Sequence, residues 1–150
     1  MISKQDYELL SHLRDNARIS LVTIGNETEV SLSTVYDKIR RFERDFIKKH
    51  TSLLDFKKLG FNLKVNIVFK VKKGQIDDFY DFLIDCRHIN NFYKTNEDYD
   101  FLVEGIFKDQ REFNEFLIRI NEEFLIEHKQ IFYLVEDVKE QSFLGLNQLY

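Results

Sequence analysis

The stretch LKVNIVFKV, Leu63 to Val71, sets Leu63, Val65, Ile67, Phe69 and Val71 on one side, and Lys64, Asn66 and Lys70 on the other. Alternation of this kind is the period of a β-strand with one buried face. The first 50 residues follow a different rule, with apolar side chains recurring at steps of three and four, the period of helices that bury one stripe. A single chain that changes period near residue 60 is confined to a helical front and a sheet-bearing rear. The fold class expected is therefore α+β in two domains.

Three short helices are predicted in the front. Ser3 is placed to cap a helix with Leu9, Leu10 and Leu13 inward, ending near RDNAR, where Asn16 favours a turn. Ser20 caps a second, short helix through LVTIGNE, which Gly25 weakens. After the tight connection EVS, Ser31 caps a third helix whose Leu32, Val35, Ile39, Phe42 and Phe46 form one stripe. Ser33, Asp37, Arg40, Arg41 and Arg44 fall opposite that stripe, flanked by Thr34, Tyr36 and Lys38. Two capped helices joined by a short turn, the second showing polar side chains outward, make a helix-turn-helix. The following FIKKHTSLLDF is β-prone and predicts a short wing and a strand leading out of the domain.

The chain has no proline, so the usual linker marker is missing. DFKKLGFN, with Lys57, Lys58 and Gly60, is the best break, giving domains 1–55 and 63–150 with a linker at 56–62. Beyond it, Gly74 marks a turn and Ile76, Phe79, Tyr80 and Leu83 give a helical stripe. HINNFYKT and YDFLVEGIF read as strands. Asp109 caps a helix with Phe113, Phe116, Leu117, Ile120 and Phe124 inward, and QIFYLVEDV closes as the last strand. The order βαββαβ is the ferredoxin-like split βαβ, with both helices on one sheet face. Val68, Leu102, Ile106 and alternate residues of IFYLV then point to the uncovered face, which predicts burial against a second copy and at least a dimer.

Composition narrows the function. Residues 1–60 carry 11 basic and 9 acidic side chains, and residues 61–150 carry 11 and 17, within a net charge of −4. A weakly basic front on an acidic rear suits a chain of which one end meets a polyanion. The single cysteine, Cys86, rules out an intrachain disulfide and reads as a packing residue. His12, His50, His88 and His128 are scattered without metal-ligand spacing, so neither metal nor cofactor is expected. No phosphate-binding glycine loop, nucleophile elbow or paired-carboxylate motif occurs, so an enzyme is not expected. No apolar run approaches the roughly 20 residues of a membrane span, and the start MISKQDYELL lacks the apolar stretch of a secretory signal. A soluble cytoplasmic protein without a membrane partner is the expectation.

The segment from Ser31 to Lys49 carries the functional question. Its plain reading is a solvated helix face. Its sharper reading is a surface for double-stranded DNA, with Ser31, Ser33 and Thr34 at the helix start that approaches base edges, and Tyr36, Asp37 and Lys38 beside them. Arg40, Arg41 and Arg44 lie outward, and Lys48 and Lys49 extend the positive charge. An arginine fork pairs with guanine O6 and N7 or grips a phosphate. Asp37 either accepts from cytosine N4 or pairs with Arg41 one turn on, the latter being the plainer alternative.

DYELLSHLRDNARIS, SLSTVYDKIRRFERDFIKKHTSLLDFKKLGF and NEDYDFLVEGIF, in that order, resemble the Lrp/AsnC or feast/famine family of transcription regulators, from about Ile2 to Ser142. The resemblance implies an N-terminal winged helix-turn-helix and a C-terminal sandwich that assembles dimers, in some members tetramers or octamers. It also implies an amino-acid effector near a loop that maps onto Glu97, Asp98, Tyr99 and Asp100. Glu97 stands where such proteins usually have glycine. Asp45 replaces another frequent glycine, and Glu29 sits in the turn before the third helix, so any need for positive φ there costs something. Read without the resemblance, Asp98 and Asp100 simply end a strand and cap a turn. Two alternatives remain. One is a sirohaem-decarboxylase-like enzyme using His88, His128, Arg87, Arg111 and Arg119; the other is an interaction module whose helix-turn-helix no longer binds DNA.

Overall fold

A computed structural model describes residues 2–146. They form two compact units: residues 2–53 together with 138–146, and residues 54–137.

The first unit holds α1 (Lys4–Asp15), α2 (Leu21–Thr28) and α3 (Leu32–Asp45). All three begin where a serine side chain accepts a backbone N–H: Ser3 from Asp6, Ser20 from Thr23 and Ser31 from Thr34. Leu9, Ile24, Val35 and Phe42 are fully buried between the helices, with Val30 and Ile39 nearly so. Each such side chain contributes about 1.5–3 kcal/mol by leaving water. The ends of the predicted α3 stripe do not join them. Leu32 and Phe46 are 51% and 46% exposed, because the core beneath them is only three helices wide and runs out at the helix ends.

The turn between α2 and α3 explains Gly25. The Val30 N–H donates to the Gly25 carbonyl at 3.0 Å. A Cβ on Gly25 would lie 2.8 Å from the Val30 carbonyl oxygen, so the glycine permits the close approach. The left-handed position in this turn is filled by Glu29, at φ 55°. Asp45 needs no such conformation, since it is the last residue of α3 and Phe46 after it has φ −130°.

The second unit runs β1 (Leu63–Val71), α4 (Ile76–Asp85), β2 (Ile89–Lys94), β3 (Phe101–Phe107), α5 (Gln110–Glu123) and β4 (Ile126–Tyr133). The strands lie in the order β2-β3-β1-β4, every neighbouring pair antiparallel. This is the expected ferredoxin-like sheet. Val65, Ile67, Phe69 and Val71 of β1 and Phe101, Val103 and Phe107 of β3 face α4 and α5. Phe79 is the hub of the core, with its ring 5.1 Å from Phe69, 5.7 Å from Phe101 and 5.0 Å from Phe124. Aromatic pairs at such separations add about 0.5–1.5 kcal/mol each beyond their buried area.

Four expectations are corrected. The last strand begins at Ile126 rather than Gln130 and ends at Tyr133; it is an edge strand, where charged Glu127 and Lys129 are tolerated and blur the alternation. Residues 56–62 are not a loose linker. Phe61 N–H bonds back to Phe56 at 2.9 Å, Asp55 accepts from Lys58, and Gly60 takes φ 90°, so the segment is a tight turn of the second unit. The β-prone stretch after α3 forms no strand, because none of the described residues pairs with it; Leu53 and Leu54 stay exposed. Residues 138–146, expected in the second domain, instead belong to the first. The Arg14 guanidinium donates to the Gln141 side chain at 2.8 Å and to the Phe143 carbonyl at 3.2 Å, and Asp15 accepts from Leu146 N–H at 3.0 Å. The four final residues of the assigned range, 147–150, lie outside the described residues.

Candidate nucleic-acid interface

The polar face of α3 divides into two parts with different fates. Along its first two and a half turns Ser33, Thr34, Tyr36, Asp37 and Arg40 are exposed. Ser31 is occupied as the cap: its hydroxyl accepts Thr34 N–H at 3.4 Å and lies 2.8 Å from the Thr34 hydroxyl and 3.3 Å from that of Ser33. Arg40 sits over the ring of Tyr36, its Cζ 5.5 Å from the centroid, and donates to the tyrosine hydroxyl at 3.3 Å. No carboxylate among the described residues holds it. A stacked guanidinium keeps its charge and most of its donors while losing rotational freedom, which prepares it for a planar partner.

The other cations of α3 are committed elsewhere. Lys38 Nζ lies 2.6 Å from one carboxylate oxygen of Asp6, and an Arg41 terminal nitrogen lies 2.9 Å from the other. Asp6 sits on α1 and is only 3% exposed. It also completes a capping box, accepting Ser3 N–H at 3.0 Å while Ser3 Oγ accepts the Asp6 N–H at 3.1 Å. Burial pushes the Asp6 carboxyl upward, but the donors on Lys38, Ser3 and Arg41 outweigh it and hold it well below the usual carboxylate range. The expected Asp37–Arg41 pair does not form, because Arg41 turns toward α1 across the ring of Phe42. Arg44 pairs with its neighbour Asp45 at 2.7 and 3.0 Å. That pair is solvent-exposed and contributes little to stability. Lys48 and Lys49 project from the irregular segment beyond α3, both exposed.

Asp6 is the residue of this face's ion-pair network that sequence reasoning missed. Its one local signal is the capping box Ser3-x-x-Asp6; its pairing with residues more than 30 positions away leaves no trace in any window.

The loop of Glu97, Asp98, Tyr99 and Asp100 joins β2 to β3. Asp100 is used structurally: it accepts Val71 N–H at 2.8 Å and lies 3.3 Å from Lys70 Nζ, while Thr95 bonds the Tyr99 carbonyl. Glu97 adopts φ 66°, the conformation for which glycine is the cheap choice, with its side chain and that of Asp98 in solvent. Of the groups an enzyme of this plan would use, Arg87 and His88 line a groove of about 370 Å³ with Phe56, Ile106 and Glu112. Arg111 and Arg119 are each tied to a glutamate one turn on, at 3.1 and 2.8 Å, and His128 stands on the edge strand opposite Lys70.

A three-helix unit with a capped, polar-faced third helix, together with a ferredoxin-like sheet, defines a class: two-domain regulators that read DNA. Residues 2–45 match the family described as winged helix-turn-helix DNA-binding. The chain is 31% identical over 113 residues to the HTH-type transcriptional regulator FL11 of Pyrococcus furiosus, covering 75% of each. It is 28% identical over 118 residues to the HTH-type transcriptional regulator Ptr1 of Methanocaldococcus jannaschii, covering 78% and 80%. Among solved structures it resembles the transcriptional regulator NMB0573 of Neisseria meningitidis in complex with L-Met, with a TM-score of 0.88, 18% identity and 98% of each chain covered. It also resembles AsnC of E. coli, with a TM-score of 0.83, 17% identity and coverage of 93% and 96%. The chain belongs to the Lrp/AsnC family of helix-turn-helix transcriptional regulators and is a DNA-binding regulator. Among the described residues no helix is long and apolar enough to cross a membrane.

Proposed function

We propose that the protein binds operator DNA as a symmetric dimer, each copy setting the first two and a half turns of α3 into a major groove. The observation that carries this reading is the exposed row Ser33, Tyr36, Asp37 and Arg40 on a helix capped by Ser31, with Arg40 steadied by Tyr36 rather than neutralised by an acid. In this reading Arg40 pairs with guanine, Asp37 accepts from cytosine N4, and Thr34, Lys48 and Lys49 lie along phosphates. The dimer forms through the sheet face opposite the helices, where Val68, Leu102, Ile106 and Phe132 gather. Half-sites then fall about one helical turn, roughly 34 Å, apart or at multiples of it. Higher assemblies built from the same dimer are compatible with this arrangement. The protein acts in the cytoplasm, where its DNA lies.

Selection of bound duplexes from a random pool tests the reading. Paired half-sites at helical spacing are expected; recovery of unrelated sequences would defeat it. Replacing Arg40 by alanine is expected to weaken operator binding by about 1–3 kcal/mol, roughly fivefold to 160-fold, with unchanged thermal stability.

Amino-acid sensing is the finer part of the proposal. Its support is the L-Met bound to the structurally similar Neisseria regulator, together with the exposed Glu97 and Asp98 of the β2–β3 loop. Calorimetry against a panel of amino acids decides it; no heat from any of them would leave the loop purely structural.

A further inference from the structure

We propose that Asp6 is a positioning residue that withholds Lys38 and Arg41 from the phosphate backbone, and so raises discrimination between operator and unrelated DNA. The inference rests on the DNA-binding reading above and deepens it.

One buried carboxylate gathers donors from three places. Lys38 Nζ at 2.6 Å and Arg41 at 2.9 Å come from α3, one turn apart, and the Ser3 N–H at 3.0 Å from the start of α1. The lysine side chain is 20% exposed and the arginine 40%. Arg41 is committed further, because its guanidinium also rests 5.3 Å from the Phe42 ring centroid. Swinging it to a duplex would strip that packing and leave the carboxylate short of a donor.

Free cations on a DNA-facing helix strengthen binding to every sequence alike, since each one that neutralises a phosphate releases counterions regardless of the bases. Two cations removed from that pool lower sequence-independent affinity and leave Ser33, Tyr36, Asp37 and Arg40 untouched. What counts for a regulator is the ratio between the two kinds of binding. The same carboxylate, held at two points of α3, also fixes the rotation of that helix about its axis, and with it the direction in which Arg40 projects.

The experiment compares the full chain with Asp6→Asn, Lys38→Gln and Arg41→Gln. Binding to the selected operator and to a scrambled duplex is followed by fluorescence anisotropy across a salt series, and circular dichroism confirms folding. In Asp6→Asn the salt dependence on scrambled DNA is expected to steepen by about 0.9 for each released cation that finds a phosphate, up to about 1.8. The operator-to-scrambled ratio is expected to fall. Lys38→Gln and Arg41→Gln, with Asp6 intact, are expected to leave the slope of the native protein unchanged. A folded Asp6→Asn protein with an unaltered slope overturns the inference, as does a slope reduced by about 0.9 in either glutamine variant. If Asp6→Asn does not fold, a slope reduced by about 0.9 in either glutamine variant still overturns the inference. Native protein that binds neither duplex would sink the DNA-binding reading itself, whereas an unchanged slope in a folded Asp6→Asn protein that still binds a duplex sinks this inference only.

Discussion

Helices α3 and α5 are built alike and use their charges differently. Each is 14 residues long, starts from a side-chain cap, Ser31 or Asp109, and buries three apolar residues. On α5 the arginines are matched along the helix's own surface, Arg111 with Glu115 and Arg119 with Glu123, each one turn apart. On α3, Lys38 and Arg41 reach across to a buried acid on α1, while Arg40 leans on a tyrosine. A count of positive charges would rank the two helices by number alone. What separates a solvated surface from a binding surface is which charges still lack a carboxylate once the chain has folded.

The largest expected effect tests the claim that inward stripes hold both helices equally. Phe42→Ala on α3 and Phe113→Ala on α5, both fully buried, should each cost about 3–5 kcal/mol, measured by urea denaturation of the two units. A small loss at either would break the likeness. The next concerns the cross-helix acid. Because the folded-state pKa of Asp6 is depressed below its unfolded value of 3.8, its contribution is complete above about pH 4 and is lost as pH falls through the folded value. Asp6→Asn should therefore flatten the acid limb of the helical unit's stability curve. Helix starts come third. Ser31→Ala and Asp109→Ala should each cost about 1 kcal/mol in thermal unfolding. The smallest effect is at the surface ladder: Arg111→Ala and Arg119→Ala should each change stability by no more than about 0.5 kcal/mol. A loss of operator affinity in either would erase the distinction between the two helices.

Much of this architecture was legible in the chain. Ser3, Ser20, Ser31 and Asp109 mark helix starts because their short side chains satisfy backbone donors locally, so a four-residue window contains the whole cause. The alternation in β1 was equally plain, since that central strand buries one complete face. The fourth strand was misread because at a sheet edge charged side chains reach solvent and break the pattern. Of the two positions where a positive φ would have cost something, Glu29 takes it and Asp45 does not; Glu97, which stands for a glycine of the family, takes it as well. The interface was half legible. Which residues of α3 point outward follows from the helical period, but which remain available depends on Asp6, whose partners are brought to it only by the packing of α1 against α3. Local sequence holds no record of that meeting.

The contact of residues 141–146 with Arg14 and Asp15 has a consequence for how the molecule is made. During synthesis the three helices emerge from the ribosome long before these residues do, and all four strands lie in between. The front unit can fold early, yet its last clasp closes only after the whole sheet has been translated. A cut after Asp137 would therefore be felt at the end of α1, in the part of the chain that was made first.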